Sequence, residues 1–414
     1  MSEFIDNRAE RREELKAIIK QLHGGASVDE VKQRFANLIK GVDATEVSEL
    51  ENELIAEGMP VSEVKRLCDV HVTLFEEGLA EKGLDDEPEL EPGHPAHTIW
   101  RENRILDNLL DQLDGKLEVL AEAKSLTPEL VESLTPMMEK LGEVNKHYLR
   151  KENQLFPFLE KHGIHGPTQV MWGIHDDVRG YLKAAKQALA NGNLNEFVAK
   201  ATEFSEAAFS MITKEEKVLL PMSLESLSEA EWAAVLHGSE ELGYAWHRPV
   251  IIWEPKISEP LPDTPTGSYE ETADSAGSLG AVLPLSVGGL TLKQINLLLT
   301  NLPVDVTYVD ENDRVRYYSA GRERVFPRSP AIIGREVAKC HPPSSVHIVE
   351  KIVQAFKNGE KDVAEFWIQM GESFVHIRYF ALRDDEGSYR GVLEVSQDVS
   401  GIRALEGERR LLDW

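Results

Sequence analysis

Apolar residues recur at helical spacing over four long segments, 95–124, 129–160, 167–191 and 194–222, with polar residues on the opposite faces. Short loops join them, marked by Thr127-Pro128, by His162 to Pro167 and by Asn191-Gly192-Asn193. Four helices so connected predict an up-down bundle within residues 94–250. Residues 7–80 are more polar, and His23-Gly24-Gly25, Gly41 and Gly58-Met59-Pro60 break their helical pattern into short pieces. They predict a small helical domain over 1–83, followed by the acidic, proline-bearing connector Leu84 to Gly93. Residues 254–288 are rich in Pro, Gly, Ser and Thr and form a flexible linker. Beyond it the period changes. A helix from Leu290 to Thr300, two strands about the turn Asp310 to Asp313, a helix in HIVEKIVQAFKNG and strands at 363–370, 373–383 and 389–398 follow. Residues 289–414 therefore predict an antiparallel sheet with helices on one side, and the fold class is multidomain, α and α+β.

A length of 414 residues leaves room for such a division. Lys plus Arg number 45 and Asp plus Glu 72, so the net charge of −27 repels nucleic acids and anionic membranes. No stretch approaches the ~18 apolar residues of a membrane span, and the charged N-terminus lacks the apolar middle of a secretory signal. The expected location is cytoplasmic, with Cys68 and Cys340 as reduced thiols.

Three stretches carry a resemblance. His147-Tyr-Leu-Arg-Lys-Glu152-Asn-Gln-Leu-Phe156-Pro157, Gly173-Ile-His175-Asp-Asp-Val-Arg179 and Thr213-Lys-Glu215-Glu216-Lys-Val-Leu-Leu-Pro221 resemble the second, third and fourth helices of the hemerythrin-like, His-His-Glu cation-binding family. NLPVDVTYVDENDRVRYYS and IIGREVAKCHPP resemble a PAS sensor domain, and LIAEGMP with LCDVHVTLF resembles a domain of unassigned function found in front of such bundles. The resemblance implies a diiron centre held by histidines and bridging carboxylates. Manganese or zinc would suit similar ligands. Family members usually carry His followed four residues later by Glu on helices two and four. Here Lys151 follows His147 at that spacing, Met211 stands at the fourth helix's histidine and Asn103 at the first helix's.

Helical phase offers another ligand set. At about 100° per residue, Glu102 falls on the stripe Ile99, Leu106, Leu109, Leu113, and Glu152 on the stripe Leu141, Val144, Tyr148, Leu155, with His147 on the flank. Glu216 lies among Val198, Phe209, Ile212, Leu219 and Leu220, with Glu215 displaced to the side, and His175 lies on the stripe Met171, Val178, Leu182. No Lys or Arg lies at the centre of these stripes, so a metal cation is the expected compensation for three buried carboxylates. His147 and either His94 or His97 would complete its shell.

In the last domain, Val306, Tyr308, Ile333, Val349, Ile352 and Phe356 are candidates to line a pocket for an unknown ligand. Cys340-His341-Pro342-Pro343 invites a haem or redox-thiol reading beside the simpler one of a helix start. Cys68 and His71 share a helical face, better read as packing than as a ligand pair. The function expected from these features is nonhaem-iron sensing of oxygen, nitric oxide, peroxide or iron. A PAS-like domain adds a second sensing or homodimerising surface, and output passes to a protein partner by binding. The alternatives are an enzyme consuming peroxide or nitric oxide or delivering iron for cluster repair, and a metal-free interaction scaffold.

Overall fold

In the computed structural model, residues 90–121, 125–255, 282–321 and 324–408 are described, together with Glu14, Ala17 and Gln21. Apart from those three residues, the expected N-terminal domain, with Cys68 and His71, and most of the linker lie outside the described residues. Two compact units divide the chain between Leu261 and Pro262.

The first unit is helical. It comprises α1 (Pro95–Ala121), α2 (Pro128–Gly142), α3 (Val144–Arg150), α4 (Phe156–Lys161), α5 (Gly166–Ala190), α6 (Leu194–Lys214), α7 (Leu220–Ser226) and α8 (Glu229–Leu242). Sequence sets the starts. The Thr127 hydroxyl accepts the Leu130 N–H with Pro128 in the first turn of α2, the Asn193 side chain caps α6, and Ser228 with Glu231 forms a capping box on α8. Helix α5 packs against α6 and α6 against α1, burying Leu109, Leu113, Phe197, Phe204 and Ala208 between them. Helix α8 is additional to the four segments read from periodicity. Gly238 on α8 admits the Gln154 side chain, whose Oε1 lies 2.0 Å from where a Cβ would sit.

Two π-helical turns interrupt this unit, Lys151–Leu155 between α3 and α4 and Glu215–Leu219 between α6 and α7. Each closes with a bond five residues back, Phe156 N–H to the Lys151 carbonyl and Leu220 N–H to the Glu215 carbonyl. The next residues are Pro157 and Pro221. Proline has no N–H and its ring collides with the carbonyl four residues earlier, a conflict that a widened turn accommodates.

The second unit holds a hairpin of β1 (Val282–Pro284) and β2 (Gly289–Thr291), helix α9 (Leu292–Thr300) and a five-stranded antiparallel sheet. The strands are β3 (Asp305–Asp310), β4 (Val315–Tyr318), β5 (Val363–Met370), β6 (Ser373–Arg383) and β7 (Tyr389–Asp398), in the order β4-β3-β7-β6-β5. The 3₁₀ turns Pro330–Ile332 and Val337–Cys340 and helix α10 (Val346–Lys357) complete it. Gly371, at φ 59°, supplies the two-residue turn between Met370 and its partner Ser373. The inner face is a cluster of Val309, Val315, Ile332, Val353, Phe356 and Val392, against which Ile333, Val349, Ile352 and Cys340 pack. Val306 and Tyr308 alternate with Val309 along β3 and so take the opposite face. That corrects their assignment to the pocket lining.

Candidate metal centre

Glu102, Glu152, Glu215 and Glu216 are buried in the bundle, and each has a cationic partner. Glu102 of α1 is fully buried; its Oε2 accepts from Arg150 and lies 2.7 Å from His147 Nδ1, while its Oε1 accepts the Ala245 N–H at 2.9 Å. The other ring nitrogen of His147, Nε2, lies 3.0 Å from Glu215 Oε2. Glu215 Oε1 accepts from the Lys151 ammonium, which also sits 4.6 Å from the centre of the Tyr148 ring. Glu152 accepts from His175 Nδ1 and from Arg179, each at 2.8 Å, and Glu216 accepts from Arg104. The His175 ring stacks on Tyr148 with centroids 3.9 Å apart.

The electrostatics follow from burial and pairing. Burial raises the Glu102 carboxyl, but His147, Arg150 and the Ala245 N–H outweigh it and hold it below the usual carboxylate range. Glu215 goes the same way, its desolvation overcome by Lys151 and His147. Burial lowers the Lys151 ammonium to about 8 despite Glu215, and lowers His175 well below an ordinary imidazole, helped by Lys151 and Arg179. Glu216, nearer the edge, is raised by burial against the pull of Arg104.

Several expectations are thereby corrected. His147 is fully buried at the centre, not on a flank, and Glu215 is as deep as Glu152. The stripe that leaves Glu215 to the side runs through Leu219 and Leu220, across a π turn that holds one residue more than a regular ladder, so phase carried over it at a constant angle goes astray. The larger correction concerns cations: Lys151 is 0% and Arg150 4% exposed, so positive side chains do stand at the centre. His94 has a different job. Its Nδ1 accepts the Ala96 N–H at 3.1 Å and its ring packs between Trp232 and Trp253, at 4.7 and 4.5 Å. His97 lies beside Trp100, with ring centroids 6.2 Å apart. In the second unit the Cys340 thiol donates to the Glu336 carbonyl at 3.7 Å and His341 Nδ1 lies 2.8 Å from the Val337 carbonyl, bonds that fix the end of a 3₁₀ turn.

His94 yields a pH prediction. Burial lowers it to about 4, against 6.5 for an ordinary histidine, so between these values the unfolded chain binds more protons than the folded one. Stability contributed by neutral His94 is complete above pH 6.5 and lost as pH falls to about 4, up to about 3 kcal/mol in all. Urea titrations of the parent and His94→Gln at pH 7 and 4.5 measure it. The parent should lose more stability than the variant, and parallel losses refute the assignment.

The comparisons with known proteins bear on this network. The hemerythrin HHE cation binding domain matches residues 94–223, the PAS domain residues 295–400, and a family of unknown function, DUF438, residues 15–81. Residues 94–223 are a hemerythrin HHE domain and residues 295–400 a PAS domain. Among solved structures, the C-terminal domain of a Streptococcus mutans protein is 34% identical, covering 31% of this chain and 99% of its own at a TM-score of 0.30. A PAS domain from Colwellia psychrerythraea is 18% identical, covering 27% and 98% at 0.22. A sensory box sensor histidine kinase from Vibrio cholerae is 12% identical, covering 26% and 90% at 0.21. No curated protein matches the chain.

A hemerythrin HHE domain suggests metal binding, and the residues present can be tested against it. Both nitrogens of His147 face carboxylates, and Glu102, Glu152 and Glu215 are each bonded to a side-chain cation. His175 Nε2 and the hydroxyl of Tyr148 are buried without a hydrogen-bond partner among the described residues, one imidazole nitrogen and one phenol where two metals would need several ligands. Among the described residues no group of three or more His, Cys, Asp or Glu side chains is arranged to hold a metal ion. This residue set does not fit a two-metal centre. Arg104, Arg150 and Arg179 are the members of the network that reading the sequence passed over.

Proposed function

We propose that the protein is a sensory regulator that acts by binding, with the inner face of its PAS domain reading a small polar molecule. The observation that carries this reading is a cleft of about 540 Å³ whose lining includes Asp305, Arg324, Val375 and Ser396. These residues lie at one end of the sheet, where Ser396 pairs with Asp305 across β7 and β3. The Ser396 hydroxyl donates to Glu394 at 3.3 Å, and Glu394, 6% exposed on β7, has Arg328 Nη2 at 3.6 Å. Burial together with the Glu394 charge pushes the Tyr379 phenol up, and burial lowers His341, which also feels Glu394 and Arg328. A carboxylate, a guanidinium and a hydroxyl, from Asp305, Arg324 and Ser396, thus line the cleft, and Ser396 links it to Glu394, the few oriented polar groups that a ligand pocket uses for specificity.

The gas, peroxide and iron readings of the bundle need metal ligands that here bond to Arg150, Lys151 and Arg179, so the sensing role is assigned to the PAS domain. Thermal shift of the full chain against a panel of polar metabolites tests it. A ligand at a hundred times its Kd adds about 2.7 kcal/mol to stability, and that gain should vanish in Glu394→Ala and in Ser396→Phe, which fills the cleft. Shifts that survive both substitutions place the ligand elsewhere.

A further inference from the structure

Lys151 and Glu215 hold equivalent positions. Each opens a π turn and each precedes a proline by six residues, Pro157 and Pro221. Each also follows by four the residue at the site's histidine position, His147 on one helix and Met211 on the other. Two carboxylates at such facing positions would repel unless a cation lay between them. Here one of the pair is an ammonium, and it bonds directly to the other.

The four ion pairs balance among themselves without any added ion. Glu102, Glu152, Glu215 and Glu216 meet Arg150, Arg179, Lys151 and Arg104, four negative against four positive with the histidines left aside. Lys151 is the deepest of the four cations, at 0% exposure, and it also feels the charges of Glu102 and Glu152. A divalent ion entering beside it would bring two further positive charges to a place whose carboxylates are already engaged. In a water-poor interior that repulsion is weakly screened.

We infer that the Lys151 ammonium is a built-in counterion standing where a metal cation would bridge the two helices, so that the bundle of this protein folds and persists without metal. The inference concerns the bundle alone and does not depend on the PAS pocket.

The test uses the full chain, stripped with chelator and then offered Fe(II) without oxygen, Mn(II) or Zn(II) in excess before desalting and elemental analysis. The parent should retain far less than one equivalent of each, and its thermal midpoint should be the same with metal as with chelator. Retention of one equivalent or more, or a midpoint that chelator lowers, overturns the inference. Lys151→Glu restores a carboxylate at the equivalent position and should retain at least tenfold more Zn(II) or Fe(II) than the parent. If that variant folds without holding more metal, the ammonium is not what keeps the ion out and the inference falls. If it is unfolded in chelator, circular dichroism should show its helix return with Zn(II), and failure to return counts against the inference in the same way.

Discussion

Lys151→Ala is expected to lower the stability of the protein by about 3–5 kcal/mol, because it strands the Glu215 carboxylate in a site that is 1% exposed. Glu215 would keep only His147 Nε2, at 3.0 Å, as a partner. The cost of burying two charges is already met in the parent, so breaking the pair is worse than never having had it. The double variant Lys151→Met with Glu215→Leu removes both charges and roughly keeps volume, and it should lie within about 2 kcal/mol of the parent, the remainder being the acceptor lost to His147. Urea midpoints of the parent, both single variants and the double decide the matter. If the single losses add up in the double variant, the two side chains are not coupled and the ion pair is not what holds them there.

Phe356→Ala should cost a further, unrelated amount of about 3–5 kcal/mol. Phe356 is 1% exposed on α10 and closes the cluster of Val309, Val315, Ile332, Val353 and Val392 between helix and sheet. Truncation removes the ring's burial and leaves a cavity that strands in a hydrogen-bonded sheet cannot collapse to fill. Exposed Trp367 on β5, at 62% exposure, is the natural control. Trp367→Ala should change the urea midpoint little, and equal losses for the two would mean that the helix does not close this core.

Much of the fold is legible in the sequence, for reasons that differ by region. The last three strands fall where alternation and turn residues place them, at 363–370, 373–383 and 389–398, since Met370-Gly371-Glu372 and Asp384 to Ser388 fix both ends. The long helices follow from apolar stripes with capping residues in front. Helix α8 escapes this reading because its Trp232, Ala233, Ala234, Val235 and Leu236 run together and define no single face. The burial of Glu102, Glu152 and His175 follows from phase, whereas that of Lys151 and Arg150 does not. Charged residues are read as solvated by default, and here the buried cations are recognisable only once the carboxylates opposite them are known. Lys151 did stand out in sequence, as a break in the spacing expected after His147, yet a break reads as a loss until the structure gives the ammonium its partner.

Because the interior pairs cancel, they add nothing to the formal charge of −27, all of which is carried by the rest of the chain. A surplus of that size selects for basic counterparts. Association with them should be fast in dilute buffer and slow markedly as added electrolyte shortens the reach of the field.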